Sequence, residues 1–402
     1  DSSRRFDNAV RSFVKLFGEE KRDLFLFSAP GRTEICGNHT DHQHGCVLAA
    51  AVNIDAVAVA ALRTDNYVVL ESEGYGRVQI NTDDCGAYCE EYSAEKGTTA
   101  ALIRGMISGF KERGIEVKGF DAYVTSEVLS GSGLSSSAAF EILVGNIINK
   151  FSNANLNATE IAIIGQKSEN LFFGKASGLM DQMVSSVGGM VYIDFSDPSL
   201  PIVEKYDADF EEAGLKIIVT DTHGSHADLT DDYSAVPSEM RTVASVFGCD
   251  YLNEVDEKIF YDALYGGDLR DKVSDRAILR AVHFFEDNKR VHDEVDAIKK
   301  KDFKRFLELV NASGKSSALL LQNLYSTRDS STQAIPLALM MSERILGNRG
   351  ACRVHGGGFA GTIQAFVPND LTDEYIAKMN SVFGENSCMV LNIRNIGGCC
   401  IK

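Results

Sequence analysis

From Phe120 to Lys150 the chain commits its backbone to one local arrangement. Phe120-Asp121-Ala122-Tyr123-Val124-Thr125-Ser126 alternates as a strand does, and Ala139, Ile142, Leu143, Gly145, Ile147 and Ile148 recur at helical spacing. Between them runs Leu129-Ser130-Gly131-Ser132-Gly133-Leu134-Ser135-Ser136-Ser137-Ala138-Ala139, so the Gly/Ser run is a strand-to-helix turn. Gly131 and Gly133 admit backbone conformations closed to other residues and let a ligand approach the main chain. The unpaired amides of the first helical turn then point at whatever anion sits there. Gly131, Ser132, Gly133, Leu134, Ser135, Ser136 and Ser137 are therefore candidate phosphate-binding residues, and the serine hydroxyls add donors and an oxygen ligand for magnesium. No lysine follows the last glycine, which rules out a P-loop. The plainer alternative is a glycine-serine turn ahead of an N-capped helix.

A length of 402 residues suggests about two or three domains with ample apolar content for their cores. Apolar spacing predicts a helix over residues 5–17 and strands over 24–28, 45–53, 56–63, 67–72, 77–81 and 190–195. A strand over 215–219, a mostly helical tract over 233–349 and strands over 364–366 and 388–393 follow. Strands that come in runs suit an α+β sheet layered with helices better than a strictly alternating parallel sheet. The turn cluster Ser196-Asp197-Pro198-Ser199 reads as a hinge, dividing the chain into 1–195 and 196–402.

The net charge of −17 argues against a general affinity for nucleic acid or anionic membrane, so an anionic nucleotide needs a local site helped by magnesium. Nine cysteines, an odd number and mostly scattered, resemble neither a disulfide framework nor a paired zinc motif, which fits a reducing cytoplasm. Arg4, Arg5, Asp7, Arg11, Lys15, Glu19 and Glu20 leave no continuous apolar core for a signal peptide. Asn53 and Asp55 interrupt the longest apolar stretch, which falls short of the ~20 residues of a membrane span.

Three further segments carry chemistry. Gly37-Asn38-His39-Thr40-Asp41-His42-Gln43-His44-Gly45 crowds imidazoles round a carboxylate, which suits a metal, a polyhydroxylated ligand or simply a polar loop. Ser168-Glu169-Asn170 precedes Gly174-Lys175-Ala176-Ser177-Gly178-Leu179-Met180-Asp181-Gln182, where Asp181 sits among small and apolar residues as a reactive carboxylate or a helix cap. Arg353-Val354-His355-Gly356-Gly357-Gly358-Phe359-Ala360-Gly361-Thr362 is a second glycine-rich loop, long enough to close over an anion or to serve as a tight turn.

In this order the motifs resemble those of the GHMP small-molecule kinases. Gly31-Arg32 followed by the 37–45 segment resembles the galactokinase signature of that family, and Gly133-Leu134-Ser135-Ser136-Ser137-Ala138, Gly178-Leu179-Met180-Asp181-Gln182 and Gly356-Gly357-Gly358-Phe359-Ala360-Gly361 stand in register with its other motifs. The resemblance runs from about Ala29 to the C-terminus. It implies two α+β domains with the active site in the cleft between them, and ATP-dependent, magnesium-dependent phosphorylation of the anomeric hydroxyl of galactose. Asp181 and Arg32 would be catalytic, Asn38, His39, Asp41, Gly178 and Tyr233 would meet the sugar, and Ser136 with Glu169 would hold magnesium. Tyr233 follows His226 by seven residues, the family spacing.

Departures from the pattern bear on the substrate. Asn38 stands where the family has a glutamate, and His42 and Gln43 where it has tyrosine and asparagine. A neutral amide removes repulsion toward an anion, which makes a uronic acid such as galacturonate an alternative substrate. Leu129 replaces a usual proline, and Thr99 a frequent tryptophan near adenine, in a chain without tryptophan. A catalytically silent sugar sensor is the remaining alternative, but Ser137-Ala138, Arg32 and Asp181 leave the machinery for turnover complete.

Overall fold

Apolar alternation builds two sheets in the computed structural model, which describes residues 2–18, 22–128, 131, 133–175, 177–224 and 229–401. The first has eight strands: β1 (Phe25–Cys36), β2 (Cys46–Leu62), β3 (Tyr67–Ser72), β4 (Gly76–Asn81), β5 (Phe120–Ser126), β6 (Met190–Asp194), β7 (Ile202–Tyr206) and the short β12 (Cys399–Cys400). Their order is β12-β1-β2-β5-β3-β4, with β6 pairing β2 and β7, and among the described residues only β3 and β5 run parallel. The second is antiparallel in the order β11-β8-β10-β9, from β8 (Leu215–Asp221), β9 (Ala351–Val354), β10 (Thr362–Pro368) and β11 (Cys388–Leu391).

Helices α1 (Ser2–Phe17), α2 (Thr99–Glu112), α3 (Ser136–Phe151), α4 (Ala158–Lys167) and α5 (Met180–Val187) belong to the first sheet. On one side α1 packs Ala9 and Phe13 against Val59 and Ala61; on the other α3 and α5 lie on β1 and β2. Then come α6 (Thr230–Val246), α7 (Glu257–Gly266), α8 (Asp275–Lys299), α9 (Phe303–Ser316), α10 (Ala334–Leu346) and α11 (Thr372–Phe383). This mixed, layered arrangement is the expected α+β class. No helix among the described residues is long and apolar enough to cross a membrane, and no disulfide links them.

Two expectations change. The strands expected over 45–53 and 56–63 are one continuous strand, because the polar residues between them are satisfied in extended backbone. Asn53 Oδ1 accepts the Asn392 amide at 2.8 Å, and Asp55 accepts from Arg394 at 2.7 Å as well as from Ser28 and Arg5. The first sheet also does not end at 195/196. Met190–Asp194 and Ile202–Tyr206 pair as a hairpin across that point, and Phe27 pairs with Cys400 near the end of the chain. One core cluster correspondingly joins Val47, Ile142 and Val191 of the first layer to Val219, Phe306 and Phe366 of the second.

Candidate active site

Strand β1 carries Arg32 past the end of the phosphate turn. Gly31 makes this approach feasible, since a Cβ there would stand 2.9 Å from the Leu134 carbonyl, which accepts the Arg32 amide at 3.0 Å. The Arg32 guanidinium donates to the Gly133 carbonyl at 2.5 Å and, through Nε, to Asp181 Oδ1 at 2.6 Å. The other Asp181 oxygen accepts from Ser135 Oγ at 2.6 Å. Asp181 therefore lies in the first turn of α5 without capping it, both oxygens being bonded elsewhere. Burial alone would lift its carboxyl, but the Arg32 charge and hydrogen bond, the Ser135 hydroxyl and Lys175 outweigh that and hold it below the usual carboxylate range.

The turn itself differs from an ordinary capped helix start. Ser135 occupies the N-cap of α3 in the left-handed region, φ 63°, and makes no side-chain cap; its hydroxyl is given to Asp181. No side chain thus occupies the amides of the first α3 turn from that position, which leaves them to an anion. Gly131 and Gly133 have φ of 82° and 75°, as the turn requires. Gly133 also lies against the late loop, where a Cβ would overlap Thr362 Oγ1. Ser132, Leu129 and His226 lie outside the described residues.

Glu169 sits in a π-helical turn (Ser168–Phe173) that continues α4, and it is 1% exposed. Ser137 Oγ and Lys175 Nζ reach its Oε1 at 2.6 and 2.9 Å, and Ser177 Oγ and Gln182 Nε2 reach its Oε2 at 2.7 and 2.8 Å. Ser137, rather than Ser136, is thus the serine bonded to Glu169. The half-buried Ser136 makes no side-chain bond among the described residues. A carboxylate beside serine hydroxyls is the kind of oxygen donor set that magnesium takes, but with two donors on each Glu169 oxygen an ion bound there would have to displace one of them.

The imidazoles of the 37–45 segment diverge. No group of three His, Cys, Asp or Glu residues suited to a metal occurs among the described residues. His39 Nε2 donates to the Gly357 carbonyl at 3.0 Å, its ring stacks on His42, and its Nδ1 is buried with no partner among the described residues. Burial, reinforced by His42, pushes His39 down to about 3, so Nδ1 is a bare acceptor. His44 turns away onto Tyr251, ring centroids 3.6 Å apart. Asp41 packs on Gly178, where a Cβ would overlap its carboxylate. Tyr233 donates to the Gly358 carbonyl at 2.8 Å and lies against Gly357, so it meets the late loop.

Asn38 is the residue whose placement departs most from its expected role. It is fully buried. Its two amide hydrogens go to Glu34 Oε1 at 2.9 Å and the Gly356 carbonyl at 2.7 Å, and its carbonyl accepts from Asn323 at 2.7 Å and Ser317 at 3.3 Å. The Asn38 side chain is thus satisfied within the protein, with no hydrogen left for a ligand. The carboxylate absent at 38 is present at Glu34, two residues along β1 from Arg32 and on the same face, because the pairing is regular from Arg32 to Glu34. Arg353, fully buried, donates to Glu34 Oε1 at 2.7 Å. Glu34 escaped the sequence reading, although strand alternation from Arg32 was the signal that places it.

A model of the GHMP kinases N terminal domain matches residues 101–189, and one of the galactokinase galactose-binding signature matches residues 11–62. The galactokinase of Mannheimia succiniciproducens is 29% identical over 379 residues, covering 90% of each chain. That of Clostridium acetobutylicum is 27% identical over 387 residues, covering 92% of this chain and 94% of its own. Among solved structures, Lactococcus lactis galactokinase complexed with galactose matches with a TM-score of 0.84 at 25% identity, over 98% of this chain and 99% of that one. A mevalonate kinase shares the fold at a TM-score of 0.65 and 15% identity, over 92% of this chain and 99% of that one.

Proposed function

The chain belongs to the GHMP kinases, on their galactokinase branch, and from that premise we propose that it transfers the terminal phosphoryl group of ATP to the anomeric hydroxyl of galactose, yielding galactose 1-phosphate and ADP. The observation that carries the reading is the position of Asp181, an ionised carboxylate tied on one side to Arg32 and on the other to Ser135 of the phosphate turn. The sugar oxygen forms the new bond to phosphorus as the bond to the ADP oxygen breaks, and the hydroxyl proton passes to Asp181. Asp181 is a weak base, so its main contribution is to orient that hydroxyl and take the proton late, while Arg32 balances charge on the transferring group.

His39 Nδ1, a buried acceptor without a partner among the described residues, suits a polyhydroxylated ligand, and Asp41 against Gly178 offers a second acceptor. Gly131 to Ser137 would hold the phosphates, Tyr233 would shape the late loop over the ligand, and Glu169 with the unbonded Ser136 would hold magnesium. The ion would neutralise phosphate charge. Asn38 offers no free hydrogen to a sugar carboxylate, and the galacturonate alternative rests only on the absence of a negative charge at that position.

ADP release from the purified chain with ATP and magnesium, measured against galactose, galacturonate and glucose, tests the reading. Turnover should be greatest on galactose and fall about 10²–10⁴-fold in Asp181→Asn. Silence on galactose, or an Asp181→Asn variant as fast as the parent, sinks it.

A further inference from the structure

A nucleoside triphosphate brings several negative charges to a chain whose own net charge is −17. The phosphate turn contains no lysine, and Arg32 is already bonded to Asp181 and to the Gly133 carbonyl. A second cation nevertheless reaches the turn from another segment. After the π-helical turn the chain folds back sharply: Gly174, at φ 85°, and Lys175 both donate their amides to the Glu169 carbonyl, at 3.0 and 3.1 Å. This brings Lys175 Nζ to 2.9 Å from Glu169 Oε1, the same oxygen that accepts Ser137 Oγ at 2.6 Å. The ammonium and the first turn of α3 thus share one carboxylate oxygen.

Exposure separates Lys175 from Glu169. The Glu169 side chain is 1% exposed and the Lys175 side chain 54%, so the lysine can reach a ligand without leaving its anchor. An ammonium has three hydrogens, and the bond to Glu169 uses one. We propose that Lys175 contacts the polyphosphate of the nucleotide, a lysine delivered from the segment between Glu169 and Asp181 instead of from the phosphate turn itself. This inference rests on the nucleotide-dependent reading above. Glu169, fixed by Ser177 and Gln182, is then a positioning residue for the ammonium as well as a candidate magnesium ligand.

Calorimetric titration of the full chain with ATP and magnesium, without sugar, reads the effect apart from turnover, and titration with galactose alone is the control. Lys175→Met should weaken ATP binding about ten-fold or more while leaving galactose affinity unchanged. Lys175→Arg, which keeps the charge, should restore most of the loss. ATP affinity within about two-fold of the parent in Lys175→Met overturns the proposal. Joint loss of ATP and galactose affinity with a lower melting temperature also overturns it, because the ion pair would then only brace the loop. If the parent binds galactose but no ATP, the kinase reading itself falls and takes the lysine with it.

Discussion

Gly178 has no room for one more carbon, because a Cβ there would overlap the Asp41 carboxylate. Gly178→Ala must therefore displace Asp41. If Asp41 accepts from the sugar, the KM for galactose should rise about ten-fold or more while the KM for ATP changes little, a split that steady-state kinetics resolves. Equal changes in both constants would show that the contact only supports the fold. At this scale the sequence was informative where a motif dictates backbone: the glycines at 131 and 133 have the positive φ that a Gly/Ser turn suggests. It was uninformative about partners. Arg32 and Asp181 are 149 residues apart and bonded, and nothing local to Asn38 shows that Glu34, Gly356, Asn323 and Ser317 converge on its amide.

Among the elements, α8 shows best why polar patterning misleads. Arg280, His283, Asp287 and Glu294 recur at helical spacing and would ordinarily mark a solvated face, yet all four are buried at 0 or 1% exposure. Asp287 Oδ2 accepts the Asn38 backbone N–H at 3.0 Å and Ser313 Oγ at 3.2 Å, and His283 Nε2 donates to the Asn38 backbone carbonyl at 2.9 Å, so this face braces the 37–45 segment from behind. Burial lifts the Glu294 carboxyl well above the ordinary value, with Arg353 pulling it back and Asp287 adding to the lift. The folded chain keeps a proton there that the unfolded chain releases above about pH 4.3, so the parent loses stability as pH rises from that point toward the folded pKa. Glu294→Gln has no such proton to release. Its melting temperature relative to the parent should increase between pH 4.5 and pH 8, as scanning calorimetry would record. A difference that does not change with pH would refute protonated burial.

For the whole molecule, the hairpin across 195/196, the return of β12 to β1 and the core cluster shared by both layers predict a single cooperative thermal transition. Fragments 1–195 and 196–402 expressed apart should not fold independently; two calorimetric transitions, or a folded 1–195 fragment, would contradict this. What the sequence by itself determined is local: strand and helix periods, the strand-to-helix phosphate turn and the glycine-rich loops, because each depends on residues a few positions apart. Tertiary structure alone decided that Asn53 and Asp55 continue a strand, that Asn38 is spent inside the protein, and that Lys175 bonds the same Glu169 oxygen as Ser137. Each of those outcomes turns on which distant donor or acceptor meets a polar side chain, and its fate changes from exposed to satisfied and buried only when the chain closes.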